Sequence, residues 1–404
     1  HGGPSHVDTF DHKPALIRDS GRPLPFAKPR IQFAKTTHLR RSPWEFRPYG
    51  QCGAMVSDLF PLTGELADHL CFLKAVHGTN EAHGGALLKL HTGSDTSVRP
   101  SLGSWVSYGM GTENRNLPSF ITINPTLGHG GVANWSSAFL PAVHQGTPLG
   151  GGVPVERATL HHLRDPDGHP ARQRAQLDLL GEMNREHLGR AGADAALEAQ
   201  IESFELAFRM QAEAPGILDL DAESPATRKL YGLDEPRTAS FARQCLLARR
   251  FSERGVRFVQ VSHPYWDQHE DLTREHGRLA AEVDRPIAGL LRDLKARGLL
   301  EDTLVWWGGE FGRTPTLQGT DGRDHHPHAF TMWLAGGGVR GGMSYGQTDE
   351  YGFYGVDGKV HVHDLHATLL ALLGLDHERL TFRHAGRDFR LTDVHGRVVR
   401  EILA

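Results

Sequence analysis

Cysteine is scarce in this chain: Cys52, Cys71 and Cys245 are the three in 404 residues, and no two form a Cys-x-x-Cys pair. That excludes both a disulfide-built scaffold and a zinc ribbon. Long apolar runs are lacking as well, since no stretch approaches the roughly 18–20 residues that a bilayer-spanning helix needs. Neither sign of charge is in excess. With 44 Lys and Arg against 48 Asp and Glu, the formal net charge of −4 makes no case for nucleic acid or an anionic membrane surface as partner. Repeats and low-complexity tracts are also missing. What remains, 39% hydrophobic and 23% charged residues, describes a soluble globular chain with room for one large core and an insertion.

Histidine is what the chain has in abundance. Its 26 histidines outnumber tyrosine, tryptophan and methionine together. In such a chain many imidazoles are expected at the surface, so a lone histidine carries little weight. Histidines grouped with carboxylates at strand ends carry more.

The apolar pattern indicates where strands end. "ELADHLCFLKAV" reads as a short helix running into a strand, followed by "HGTNEAHGGALLKLHTG". From about Pro125 to Val155 the text is rich in Gly, Pro and His and lacks periodicity, as loops do. From about Glu156 to Phe251, "RAQLDLLGEMNREHL", "ALEAQIESFELAFRM" and "SFARQCLLARRFSERG" repeat apolar residues at helical spacing. Then strand and helix alternate. "VRFVQVS", "TLVWWGG" and "FTMWLAGG" read as strands; "EVDRPIAGLLRDLKARGLL", with a kink expected at Pro286, and "DLHATLLALLGL" read as helices. This order predicts an α/β sheet with helices on both faces. The chain is read as one domain over residues 1–404, with a loop-rich and helical insertion at about 125–250.

Three places set potential ligands beside a strand, where open α/β sheets bind their ligands. In "GGPSHVDTFD", Asp8 and Thr9 follow a glycine turn, and Asp8 fits a turn carboxylate as well as a ligand. In "VSHPYWDQHEDLTREH", Asp267 and His269 lie just beyond a strand. In "GEFGRTPTLQGTDGRDHHPHAF", Glu310 follows "TLVWW", with Asp324 and His325 later in the same loop. An acid directly after a buried strand must be paired or ligated. Mixed Asp, Glu and His donors suit Zn²⁺ or Mn²⁺, whereas an all-oxygen set would favour Ca²⁺ or Mg²⁺. Two such ions about 3.5–4 Å apart clamp the attacking and leaving oxygens of a phosphoryl or sulfuryl transfer.

The stretches "GGPSHVDTFDHKP", "ARRFSERGVRFVQV", "YWDQH", "RGLLEDTLVWWGGEFGRTP", "GRDHHPHAFTMWLAGGGVRGG" and "HVHDLHATLLALLGL" resemble, nearly end to end, the bacterial family known as domain of unknown function 1501. Its members are sulfatase-like proteins of the alkaline phosphatase superfamily. The resemblance implies an alkaline-phosphatase/sulfatase-like α/β fold and a divalent metal centre, expected to hold two ions. It also implies a small-molecule or glycan ester as substrate, and a periplasmic or secreted location, because members usually carry an export signal upstream of the glycine loop. The start of this chain is similar to one trimmed after such a signal. Carried over by residue, the layout matches Asp8 to the carboxylate after the first strand, and Asp267 with His269 to the second carboxylate-imidazole station. Glu310 stands where the Asp of "Asp-His-Gly" would be. "EFG" here departs from that motif, and Phe311 cannot bind metal. His325 looks like the late histidine, with His326 and His328 as rivals. Asp324 is either a ligand or the group that orients His325.

The nucleophile is the open part of this layout. Sulfatases in the superfamily make formylglycine from Cys or Ser in Cys/Ser-x-Pro-x-Arg, at the start of a helix that ends in Thr-Gly. Here the helix ends at Thr92-Gly93, and counting back by that spacing lands on His83. A helix start flanked by glycines is an anion site, so His83 is a candidate metal ligand or nucleophile. Thr9 and Thr79 are outside candidates for a hydroxyl nucleophile. None of the three cysteines has the formylglycine context. Arg313 fits a clamp on the substrate oxyanion, or equally a salt bridge to a nearby acid. The expected function is a metal-dependent phosphate or sulfate ester hydrolase working without formylglycine. The alternatives are a catalytically silent binder of an anionic ligand such as a sulfated glycan, and a mutase-type phosphotransferase. Oligomeric state has no readable signal.

Overall fold

The computed structural model describes residues 2–27, 34–153, 158, 169–191 and 195–404. At its centre runs the strand Leu70–His77. Antiparallel beside it lies Phe330–Ala335, buried at every position, with Trp333 opposite Phe72 and Leu334 opposite Cys71. On its other side Phe330–Ala335 pairs antiparallel with Val305–Trp307. Met343–Tyr345 and Val360–His361 join Leu70–His77 in parallel. A second sheet, wholly parallel, holds Thr147–Leu149, Phe120–Ile123 and Phe258–Val261 in that order.

The two-residue period of a strand divides the apolar residues between two cores. Phe72, Trp333 and Ala335 face one, together with the helices Ala239–Glu253 and Leu272–Ala296. Cys71, Leu73, Met332 and Leu334 face the other, with His83–Thr92, Leu102–Met110 and Val362–Leu372. A strand buried on both faces must be apolar throughout, which is why "FTMWLA" shows no polar alternation. The α/β class with helices on both faces is the class observed.

Three local features differ from the sequence reading. "GGPSHVDTF" contains a short helix, His6–Thr9, where a glycine turn beside a strand was expected. The helix expected from Glu282 begins at Leu272 and runs through Pro286 to Ala296. Its buried face continues backwards through Leu279 and Leu272, but buried His276 interrupts the apolar stripe and hides that extension. Many histidines are internal rather than at the surface. His6, His326, His363 and His366 are buried, each with a ring nitrogen on a backbone carbonyl: Gly352, Phe353, Gly93 and Leu90 respectively. An imidazole N–H satisfies an orphan carbonyl that an apolar side chain would leave bare. The loop end expected at Val155 and the helical start expected at Glu156 lie outside the described residues.

Candidate metal centre

Four chain segments meet at one edge of the sheets. The helix His83–Thr92 follows the central strand, and His83 is its first residue. Gly93 ends it with φ +73°, where a Cβ would sit 2.2 Å from the carbonyl oxygen of Leu391. Asp267 and His269 follow the strand Phe258–Val261, and Glu310 follows Val305–Trp307. His325 enters ahead of Phe330–Ala335, whose reversed direction puts its beginning at the edge where its neighbours end. Gly322 lets this last loop approach, since a Cβ there would lie 1.7 Å from the carbonyl oxygen of His269.

Three imidazoles converge on the Asp267 carboxylate. His83 Nε2 is 3.2 Å from one oxygen; His269 Nε2 and His325 Nε2 are 3.0 and 3.2 Å from the other. The two imidazoles that share an oxygen have their own Nε2 atoms 3.0 Å apart. His83, Asp267 and His325 form a group of three whose ligand atoms all lie within 4.8 Å of each other. The Asp267 side chain is 41% exposed, whereas those of His83 and His325 are 9% and 5% exposed, so the carboxylate is where the cluster opens to solvent.

Each imidazole is held by its other nitrogen. His325 Nδ1 lies 2.6 Å from the carbonyl oxygen of Glu81, which can only accept, so that nitrogen carries the proton. His269 Nδ1 faces Gln318 Oε1 at 2.7 Å, and His83 Nδ1 faces Glu310 Oε1 at 2.8 Å. Burial would raise the Glu310 carboxyl, but the His83 bond holds it down to about 2, so it is an acceptor. With their protons on Nδ1, neutral imidazoles aim three Nε2 lone pairs at an anionic carboxylate. Lone pairs facing lone pairs at about 3 Å repel unless a proton or a cation sits among them.

Without a metal ion, protons fill that role. Against the effect of burial, the bonds to Asp267 and Glu310 raise the pKa of His83. Asp267 raises that of His269 over the opposing effect of burial. His325, by contrast, is lowered to about 4, chiefly by burial. Burial would raise the Asp267 carboxyl too, yet the imidazoles of His269, His325 and His83 and the Arg313 guanidinium hold it far below the carboxylate range. Donors with fixed tautomers and a single acceptor focus are the arrangement that metal-binding histidines show with their supporting groups. Two further buried acceptors border the cluster. Glu310 Oε2 has no hydrogen-bond partner among the described residues. Neither Asp324 carboxylate oxygen has a well-formed hydrogen bond there, although His269 Nδ1 lies 3.8 Å from one of them. Burial raises the Asp324 pKa. The donor set fits a divalent cation.

The other residues singled out in the sequence have partners of their own. Asp8 is wholly buried and ion-paired to Arg323, with Nε–Oδ2 at 2.7 Å, and it accepts from the Ser5 hydroxyl at 2.5 Å. That guanidinium keeps its pKa low against the effect of burial. The Thr9 hydroxyl donates to the Ser5 carbonyl at 2.9 Å, and the Thr79 hydroxyl to Asp95 at 3.3 Å. Arg313 is fully buried. It donates to the carbonyls of Gly2, Gly3 and Trp266 and to Asp267 Oδ1, so of its two expected roles the structure shows the salt bridge. His326 binds the Phe353 carbonyl and His328 packs on Phe353 and Tyr354, which leaves His325 as the histidine of its loop at the cluster. Phe311, the departure from the "Asp-His-Gly" pattern, wedges its ring 4.9 Å from His83 and 4.5 Å from His325. Gly84 faces open space, but a Cβ on Gly85 would meet Asn80 at 2.2 Å, so the start of the His83 helix is packed on one side. Cys71 and Cys245 are buried and Cys52 is exposed; all three are free.

Gln318, the Glu81 carbonyl and His129 were not apparent from the sequence. The His129 ring lies 4.9 Å from that of His83. Its setting in "GHGG" was the available signal, a ring-bearing residue placed among glycines.

Over residues 1–403 the sequence matches the family described as Protein of unknown function (DUF1501), and the chain belongs to that family. No curated protein matches it. Three solved structures show low similarity. Ps i-CgsB in complex with k-i-k-neocarrahexaose is 12% identical with a TM-score of 0.38, covering 78% of this chain and 67% of that one. A phosphonate monoester hydrolase from Silicibacter pomeroyi is 13% identical with a TM-score of 0.37, covering 85% and 71%. The PsFucS1 sulfatase from Pseudoalteromonas sp. is 15% identical with a TM-score of 0.38, covering 78% and 62%. No helix among the described residues is long and apolar enough to cross a membrane.

Proposed function

We propose that the protein is a divalent-metal-dependent hydrolase of phosphate or sulfate esters that works without formylglycine. The observation that carries this reading is the convergence of three Nε2 atoms on the Asp267 carboxylate, each ring anchored through Nδ1. In this reading His83, His269, His325 and Asp267 hold the ion. Glu310, Gln318 and the Glu81 carbonyl fix tautomers, and Arg313 fixes the carboxylate. Glu310 Oε2 and Asp324 are the acceptors available to a second ion. The chemistry such an ion supplies when bound is polarisation of an ester oxygen and activation of water.

The remaining work falls to side chains of this chain. Phe311 keeps water from the inner face of the imidazoles, so the ester enters from the exposed side of Asp267. His83 Nδ1 is engaged by Glu310, while its Nε2, with no hydrogen bond among the described residues, points at the Asp267 carboxylate 3.2 Å away, which favours ligation over attack. The Thr9 and Thr79 hydroxyls are engaged elsewhere, and the attacking group is assigned to water.

Elemental analysis of the purified protein should find Zn or Mn at one or two ions per chain, and Asp267→Asn should lose it. Chelation should abolish hydrolysis of 4-nitrophenyl phosphate, phosphonate or sulfate esters, and Zn²⁺ or Mn²⁺ should restore it. Full activity in demonstrably metal-free protein would overturn the reading. A metal-loaded protein that binds these anions but hydrolyses none would instead be the silent anion binder.

A further inference from the structure

Among the described residues, seven non-glycine residues have positive φ. Two of the seven carry rings, His129 at +47°, whose ring lies 4.9 Å from that of His83, and Tyr265 at +75°, two residues before Asp267. For a bulky aromatic residue such as Tyr265 this backbone is an outlier, and such outliers persist where the surrounding structure enforces them.

The enforcing contacts belong to the cluster's own loops. The Tyr265 carbonyl accepts from the side chain of Gln268, which is 6% exposed, and the Gln268 carbonyl in turn accepts from the Arg323 amide at 3.1 Å. Trp266 turns inward at 4% exposure, its ring 5.2 Å from His276, while Tyr265 is 70% exposed. Two residues later comes Asp267, the exposed ligand, so the two Cα atoms are within about 7 Å. On the His83 side, the His129 carbonyl accepts from Asn134 Nδ2 at 3.1 Å, and Asn134 is 1% exposed. The same turn sets the exposed His129 ring 4.9 Å from that of His83.

We infer that Tyr265 and His129 form a rim that grips the alcohol part of the ester by its ring face. The substrate class is then an ester whose alcohol presents a flat face, aryl or pyranose, rather than a short alkyl chain. An exposed aromatic held at a fixed angle offers contact area with little ordering cost on binding. Neither ring forms or breaks a bond in this role. The inference rests on the cluster being the anion-binding centre, and it does not require turnover.

The test is calorimetric binding of phenylphosphonate, glucose 6-phosphate and methylphosphonate to the Mn²⁺-loaded protein. The wild type should bind at least one ring-bearing ligand about tenfold more tightly than methylphosphonate, as expected for one stacked face. Which ring ligand gains separates an aryl from a sugar preference. That preference should collapse in Tyr265→Ala and persist in Tyr265→Phe, and His129→Ala should weaken it. Wild-type protein without ring preference, or a preference intact in Tyr265→Ala, overturns the inference. A Tyr265-dependent preference in a protein that hydrolyses no ester would sink the proposed hydrolase and leave the rim standing.

Discussion

Two buried carboxylates, Glu310 and Asp8, look alike in sequence, each following a strand-like or glycine-rich stretch, yet their partners differ. Glu310 contacts His83 Nδ1 at 2.8 Å and the Gly2 amide at 2.8 Å, so it acts on the cluster through the imidazole it orients. Asp8 meets Arg323 and Ser5, neither of which is a cluster ligand. Glu310→Gln should therefore weaken metal binding by about 10–100-fold, as loss of an orienting partner does, with little change in unfolding midpoint. Asp8→Ala should do the reverse. It strands the Arg323 guanidinium and should cost about 3–5 kcal/mol of stability, while the metal-to-protein ratio of the folded fraction stays at the wild-type value. Metal titration and urea unfolding on both variants check the pair. Metal loss in folded Asp8→Ala would restore Asp8 to the ligand set.

At the scale of elements, the site depends on loops pressed closer than side chains allow. Gly322 is the clearest case, because the carbonyl of His269 occupies the space its Cβ would need. In Gly322→Ala one of the two loops must retreat, taking His269 or His325 with it. Overpacking of this kind costs about 1–3 kcal/mol, but the larger effect should be on the site. Metal affinity should fall by at least about tenfold, measured by competition with a chromophoric chelator. Unchanged affinity would mean that the contact between the loops does not position His269. The helix Leu272–Ala296 has a comparable role, since its buried His276 accepts from the Ser5 amide at 3.1 Å and so ties the His6–Thr9 helix to the core.

Across the whole molecule, the buried histidines should govern behaviour in acid. Burial lowers His276 and His366 to about 3 each, well below the ordinary 6.5. The unfolded chain therefore binds protons at these sites between pH 6.5 and 3 that the folded chain does not. Stability then rises with pH across that window and is lost as pH falls, by about 1.4 kcal/mol per pH unit for each such group. His83 and His269 act in the opposite sense in metal-free protein. Their raised values give stability that is present at low pH and lost as pH rises through their folded values above 6.5. Urea unfolding from pH 7 to 4 should show a steep fall in midpoint, made shallower by His366→Gln. A flat profile would show that these imidazoles are hydrated in the folded state.

Periodicity and strand-end grammar are local properties, and they sufficed for the α/β class and the strands around Trp306, Trp333 and Val259, whereas the helix from His83 to Thr92 was placed by the motif spacing that the family resemblance implies. They also sufficed for gathering Asp267, His269, Glu310 and His325 as residues of interest, because ligand-bearing loops follow from where strands stop; His83 was reached only through the motif spacing of the resemblance. Partner choice was not local. Asp8 and Glu310 are 302 positions apart, and only packing determines which of them meets an imidazole and which a guanidinium. Arg313 suited a substrate clamp or a salt bridge equally until the chain closed around it. The positive φ of Tyr265 and of His129 is not a local property either, since it depends on contacts made by Gln268 and Asn134. The sequence by itself determined which elements form and which chemical groups stand at their ends. Only the tertiary structure decided which group faces which, because hydrogen bonds and ion pairs reach about 3 Å while their partners here lie tens to hundreds of residues apart.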